Sequence, residues 1–318
     1  MTLDDRVLLV DKRPGTTSFA AVRQLRRATG VQKVGHCGSL DPLATGLLIL
    51  CTGAATRVAS LFVNLPKEYH ARVRFGRATD SYDADGRTTG EAPVPPLDPE
   101  TLRQALRRFE GEIDQVPPMV SAVKVQGRRL YELARRGEEI ERSPRKVMVY
   151  RIELVELGAE HCDLRVRCGK GCYVRSIAHE LGVNLEVPAH LEALRRVAVG
   201  PFRVEQATSL EALQAALAAA PPQAVPSVRS LAAALSTFLP ALRLRRAAEA
   251  AVRQGVQPEV GHLSDAPRAA GPHLLLSEDG LRLLAIVEVA GRPEAGRMQL
   301  VRVFHTALPV VEAETDGA

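Results

Sequence analysis

The sequence predicts an α+β protein, with a mixed, largely antiparallel sheet flanked by helices and a small β-rich module towards the C-terminal end. Three observations lead there. Strand-like and helix-like segments interleave without a regular βαβ rhythm. Several strand segments alternate apolar with charged residues, as sheets wetted on one face do. Beyond an Ala- and Pro-rich stretch at 218–230, helical patterns give way to short strands. A chain of 318 residues suits two domains, and we divide it into a larger unit over 1–230, the β-rich module over 236–310 and an acidic, frayed tail over 311–318.

The elements follow in order. RVLLVD (6–11) is a strand, and KRPGTTS turns the chain into a helix capped by Thr17 or Ser18. That helix places Phe19, Val22 and Leu25 on one face and Arg23, Arg26 and Arg27 on the other, and Gly30 stops it. GSLDPLATG (38–46) is a small-residue loop leading into the buried strand LLILC. In KEYHARVRFG, Tyr69, Ala71, Val73 and Phe75 alternate with His70, Arg72 and Arg74, giving one apolar and one basic face. TDSYDADG (79–86) has the look of a calcium loop but lacks the closing glutamate, so it reads as a turn or a loop placed for another purpose. LDPETLRQALRRFEG is a helix capped by Asp98 and ended by Gly111; QVPPMVSAVKVQG is an irregular strand region and GRRLYELARRG a short helix. The stretch 121–145 is rich in Arg and Lys and is a candidate for ordering on a partner. RKVMVYRIELVELG and HCDLRVRCGKG are strands, CYVRSIAHELG is a helix with Val174, Ile177 and Leu181 on one face, and AHLEALRRV reads as an amphipathic helix bearing Leu194. LLLSEDGLRLLAIVEV and MQLVRVFH supply the strands of the C-terminal module.

Composition narrows the function classes. The chain has 46% hydrophobic and 25% charged residues, and 42 Lys+Arg against 37 Asp+Glu give a net +5. A polyanionic partner is compatible with that charge but not demanded by it. Arginine runs at 23–30, 128–136 and 194–196 read first as solvated helix faces. No stretch suits a membrane span or a signal peptide, and five unevenly spaced cysteines suit free thiols in a reducing compartment, so a cytoplasmic protein is expected. Cys162 and Cys168 fall on the apolar side of a strand pattern, which makes them core residues rather than zinc ligands, and no metal site is expected. The dinucleotide and P-loop glycine signatures, the GxSxG elbow and the HExxH helix are all missing. The remaining candidate for chemistry is Asp41, a nucleophile or general base if a rigid loop aims it into a partly dry pocket and a cation such as Arg175 holds it charged.

Several segments together resemble one family. HCGSLDPLATGLL is similar to the GHxGxLDPxAxGxL signature of the TruB-type tRNA pseudouridine synthases. LVDKRPGTTS, KEYHARVRFG, TDSYDADG, GKGCYVRSIAHELG and AHLEALRRVAVGPF resemble that family's other motifs in order and spacing, from about residue 6 to about residue 210. Arg13, Cys37 and Cys172 depart from the usual proline, threonine and threonine. The resemblance implies a pseudouridine-synthase fold with a C-terminal PUA-like RNA-binding domain, and isomerisation of uridine 55 in the tRNA T-loop. It implies no cofactor, no metal and no required protein partner, with a monomer as the default.

The resemblance also implies roles. Asp41 is the nucleophile, acting on C6 of the base, on C1′ of the sugar or on a sugar proton. Tyr69 stacks on the flipped uracil, Tyr173 lines its pocket, Arg175 pairs with Asp41, Leu194 forms the pocket wall, His36 contacts RNA around the flipped nucleotide and Lys12 contacts a phosphate. Two other readings remain: a non-catalytic RNA-binding or tRNA-folding protein on the same scaffold, and a metal-dependent hydrolase using the aspartates at 80–85.

Overall fold

The computed structural model describes residues 3–121, 124–125, 128–129, 140–291 and 297–310. The strands of the large unit are β1 (Arg6–Lys12), β2 (Val34–His36), β3 (Thr45–Thr52), β4 (Lys67–Phe75), β5 (Arg77–Thr79), β6 (Thr88–Glu91), β7 (Gly111–Gln115), the short β8 (Lys124–Val125) and β9 (Arg128–Arg129), β10 (Arg145–Leu157), β11 (His161–Cys168), β12 (Ala189–Val199), β13 (Phe202–Arg203) and β14 (Val228–Ser230). Ten of them make one sheet in the order β14-β1-β3-β12-β4-β11-β10-β7, with β2 beside β3 and β13 beside β12. Every pairing is antiparallel except β3 with β12, which makes the sheet mixed and largely antiparallel, as expected.

The centre of this sheet is covered on both faces, and the sequence reflects it. In β1, Leu8 and Val10 enter the front core while Val7 and Leu9 enter the rear one; in β3, Leu48 and Leu50 face forward and Leu47, Ile49 and Cys51 face back. A strand buried on both faces has to be apolar throughout, which explains the unbroken run LLILC. The front core is closed by α1 (Ser18–Thr29), α3 (Pro99–Arg107), α4 (Val174–Asn184) and α5 (Leu210–Ala219), through residues such as Val22, Leu102, Ile177 and Leu213. The rear core is closed by α2 (Ala59–Asn64) and α6 (Leu231–Ser236), together with Leu274, Leu283 and Phe304 of a second sheet.

That second sheet contains β15 (Ala241–Arg243), β16 (Gly271–Leu276), β17 (Arg282–Ala290) and β18 (Arg297–Pro309), in that order. Its outer face packs on α7 (Arg246–Arg253) through Leu242, Ala248, Val252 and Leu284, a third core of its own. Within the large sheet, between β12 and β11, β4 keeps the expected alternation: Tyr69, Ala71, Val73 and Phe75 are buried, while Arg72 and Arg74 pair with Asp163 and Glu160, each at 2.6 Å. The basic face of β4 is therefore neutralised within the sheet instead of standing free.

The structure corrects three local expectations. AHLEALRRV is strand β12 and not a helix: it pairs with β4 over its length, with a register shift between Leu191 and Ala193. That bulge puts the buried Leu191 and Leu194 three residues apart, a spacing that imitates a helix. Phe19 is 59% exposed, with the Arg23 guanidinium over its ring, and Ala21 takes its place in the core. α3 ends at Arg107, and Gly111, at φ 96°, opens β7 instead of closing the helix. The 79–86 segment is a turn, as expected. Thr17 is the N-cap of α1, accepting from the Ala20 amide, and Asp98 caps α3. Cys162 and Cys168 are buried strand residues. The helix expected over GRRLYELARRG and the tail at 311–318 lie outside the described residues.

Candidate active site

The parallel strands β3 and β12 share only two register pairs, Arg195 with Thr45 and Arg196 with Gly46. Ahead of those pairs they separate, and the 38–44 segment occupies the opening. A cleft of about 530 Å³ adjoins this segment, lined by Pro14, Leu43, Thr45, Ala71 and Leu194 and by charged residues of the outer strand faces such as Arg72, Asp163 and Glu192; Asp41 lies beside it and does not line it. Asp41 sits in this segment with its side chain 32% exposed.

The DKRPGTTS segment holds the loop in place. The Lys12 ammonium is buried and donates to the carbonyls of Arg13 (2.9 Å), Thr16 (2.7 Å) and Pro42 (3.2 Å). The Gly15 amide donates to the same Pro42 carbonyl, and the Ser18 hydroxyl accepts from the Leu40 amide at 2.9 Å. Lys12 thus braces the residue after Asp41 through backbone carbonyls, and its surface is 3% exposed. Burial lowers its pKa to about 8, with the Asp41 charge pulling the other way and Arg196 adding to the fall.

On the other side of the loop, Arg175 emerges from the first turn of α4 with its side chain 1% exposed. Nη2 donates to Asp41 Oδ1 at 3.1 Å; Nε lies 2.9 Å from Oδ2, as an ionic contact out of hydrogen-bond alignment. The remaining edges of the guanidinium are satisfied by the Ser81 carbonyl (3.0 Å), the Val120 carbonyl (2.8 Å) and Asp83 Oδ2 at 3.3 Å. The TDSYDADG turn therefore brings a second carboxylate to Arg175. Asp83 Oδ1 accepts from the Ser81 hydroxyl at 2.5 Å, and burial raises the Asp83 pKa against the opposing pull of Ser81 and Arg175. Asp80 pairs with Arg87 at 3.0 Å. With Asp83 on Arg175 and Asp80 on Arg87, this loop has the chemistry of an arginine anchor rather than of a metal site.

Tyr173 precedes α4, and its ring lies 5.9 Å from the Arg175 guanidinium carbon. Its backbone is clamped by Gln115, whose carbonyl accepts from the Tyr173 amide at 2.7 Å and whose amide donates to the Tyr173 carbonyl at 3.0 Å. Tyr69 is 9% exposed on β4, opposite Arg196 of β12, and burial pushes its pKa up to about 12. His36 ends β2; burial, then the Arg196 charge, lowers its pKa, so the imidazole is neutral, and its Nδ1 is buried without a hydrogen-bond partner among the described residues. Leu194 is buried on β12 at the cleft, where its carbonyl accepts from the Thr45 hydroxyl at 3.4 Å. Direct contacts thus join Asp41 to Arg175 and Arg175 to Tyr173. His36, Tyr69 and Leu194 are brought to the same region by β2, β4 and β12.

Sequence reasoning missed two residues. Asp83 was hidden in a loop whose spacing suggested calcium. Arg196 was read as part of a solvated run, yet it is 1% exposed; its Nε donates to the Leu47 carbonyl at 2.7 Å, Nη1 to Ser39 at 3.3 Å and Nη2 to Gly38 at 3.2 Å. Local spacing hid it: Leu194 and Arg196 lie opposite Ala71 and Tyr69 on β4, but a second register shift falls between Arg196 and Ala198 and breaks the alternation.

Comparison with known proteins assigns the chain to a family. Residues 26–174 match the TruB family pseudouridylate synthase (N terminal domain), and 175–239 match the tRNA pseudouridylate synthase B C-terminal domain. The join between the two matches falls beside Arg175, and β12 of the second stretch is hydrogen-bonded to β3 and β4 of the first. A tRNA pseudouridine synthase B from Azoarcus sp. is 45% identical over 251 residues, 79% of this chain and 82% of that one. Another, from Syntrophotalea carbinolica, is 36% identical over 302 residues, 94% and 97% of the two chains. Among solved structures, a chain in the crystal structure of a Cbf5-Nop10-Gar1 complex superposes with a TM-score of 0.74 at 26% identity, covering 95% of this chain and 86% of that one.

Fold and site together define a pseudouridine synthase. The chain belongs to the TruB family, the bacterial tRNA pseudouridine synthases, and its activity is the isomerisation of uridine to pseudouridine in tRNA. Among the described residues, no helix is long and apolar enough to cross a membrane.

Proposed function

We propose that this chain modifies uridine 55 in the T-loop of tRNA, with Asp41 as the nucleophile acting on a flipped-out uridine. The observation that supports this best is the Asp41–Arg175 pair. A fully buried guanidinium grips both carboxylate oxygens, yet the carboxylate itself remains one-third exposed at the opening between β3 and β12. A reactive carboxylate needs that combination of a fixed orientation and an accessible face.

In this reading the target base leaves its stack, because its reacting atoms are shielded in folded RNA. Tyr69 stacks on the uracil, Tyr173 and Leu194 form the pocket, and neutral His36 meets the RNA beside it. The bond from N1 to C1′ breaks, the uracil turns, and C5 bonds to C1′; the proton displaced from C5 is balanced by the one gained at N1. Arg175 holds Asp41 in one orientation throughout, and Asp83 and the carbonyls of Ser81 and Val120 hold Arg175. The unit over 1–230 supplies this chemistry, the module over 236–310 serves as a PUA-like RNA-binding domain, and the protein works as a cytoplasmic monomer.

The test is position-resolved mapping of pseudouridine in an unmodified tRNA transcript and in an isolated T-arm hairpin. Product at position 55 in both is expected. Product confined to other positions would overturn the target, and an inert hairpin would overturn T-arm recognition. Sedimentation of the free protein tests the monomer, which a stable dimer would contradict.

A further inference from the structure

We propose that Arg196 is a positioning residue for this reaction, clipping both ends of the Asp41 loop to the strand that faces Tyr69. Its three carbonyl partners lie on either side of Asp41: Gly38 and Ser39 before it, Leu47 after it. On β12 the same residue is in register with Gly46 of β3 and with Tyr69 of β4. One planar guanidinium thus joins the loop, the strand it feeds and the strand carrying the stacking tyrosine.

Nearby arginines are held differently. Arg195 pairs with Asp11 at 2.8 Å, Arg72 with Asp163 at 2.6 Å, and Arg175 with Asp41 and Asp83. Arg196 is held instead by three backbone carbonyls and by the Tyr69 side chain. A cation buried to 1% exposure on backbone oxygens acts as a fork-shaped brace, a geometry that lysine cannot reproduce. The close approach it depends on is visible at Gly46, with φ 96°, where an added Cβ would lie 2.9 Å from the Arg196 nitrogen. The positive charge also reaches the pocket, where it contributes to the lowered pKa values of His36 and Lys12.

The inference rests on Asp41 performing the chemistry, and the experiment separates the two. Arg196→Lys keeps the charge and loses the fork; Arg196→Gln loses the charge and keeps two donors. For each folded variant, the single-turnover rate at saturating tRNA, the tRNA Kd and amide hydrogen exchange over 38–47 are measured well below the melting temperature. A roughly 30- to 100-fold loss of rate is expected, with Kd within about threefold and faster exchange confined to 38–47. A rate within about threefold of the parent, a Kd that rises in proportion to the lost rate, or failure of both variants to fold would overturn the positioning role. Turnover by Asp41→Asn would instead overturn the assignment of Asp41, whatever Arg196 does.

Discussion

Arg175 grips both oxygens of Asp41, with Nη2 and Nε at 3.1 and 2.9 Å, from a position where its own side chain is 1% exposed. The pair spans 134 residues of sequence, so its geometry is a property of the whole fold. Arg175→Lys removes the bidentate grip while keeping a cation. We expect turnover to fall by about 100-fold with tRNA affinity changed less than about threefold, because the lost interaction orients the reacting group and does not hold the RNA. Single-turnover kinetics beside equilibrium binding check this, and equal losses in both would assign Arg175 to RNA contact.

Asp83 is the second acid on the same guanidinium, at 3.3 Å and with its side chain 6% exposed. Asp83→Ala leaves Arg175 with less compensating charge in a buried site, and we expect a loss of about 3 kcal/mol in urea unfolding together with slower turnover. Asp83→Asn, which keeps the shape and avoids a carboxylate that burial already disfavours, should cost less than the alanine variant. The reverse order would show that the charge of Asp83 outweighs its packing.

His36 makes stability depend on acidity. An unfolded histidine takes up a proton near pH 6.5, whereas burial beside Arg196 makes the folded one do so only at lower pH. Below pH 6.5 the unfolded state therefore gains a proton that the native state lacks, and stability falls as pH drops through that window. His36→Gln should flatten the decline in melting temperature between pH 7 and pH 5 relative to the parent chain. Superimposable pH curves would contradict the buried neutral imidazole.

Gly46 combines φ 96° with the close approach of the Arg196 backbone, so an alanine there meets both strain and a clash. Gly46→Ala should lose at least about 2 kcal/mol by urea unfolding. Gly171, also at positive φ but with open space around it, provides the contrast: an alanine there meets strain alone and should lose less.

The sheet was legible wherever burial is uniform along a strand. RVLLVD and LLILC are apolar because both faces are covered, and KEYHARVRFG alternates because one face is wet. β12 was misread because a bulge shifted its parity, which local spacing does not reveal. Asp41 could be singled out from its loop and Arg175 named as a candidate cation, but spacing did not join them, since Arg175 reaches Asp41 from a distant turn and Asp83 reaches that arginine from another. Only the likeness of the motifs to a family linked them. Lys12 and Arg196 look like any surface cation in sequence; what distinguishes them is the set of carbonyls that the fold turns towards them.

The most direct test of the account is the activity of Asp41→Asn on unmodified tRNA, assayed for pseudouridine at single-nucleotide resolution beside the parent protein. The account predicts product from the parent, none from the variant, and tRNA binding retained by both. Pseudouridine formed by Asp41→Asn would contradict it.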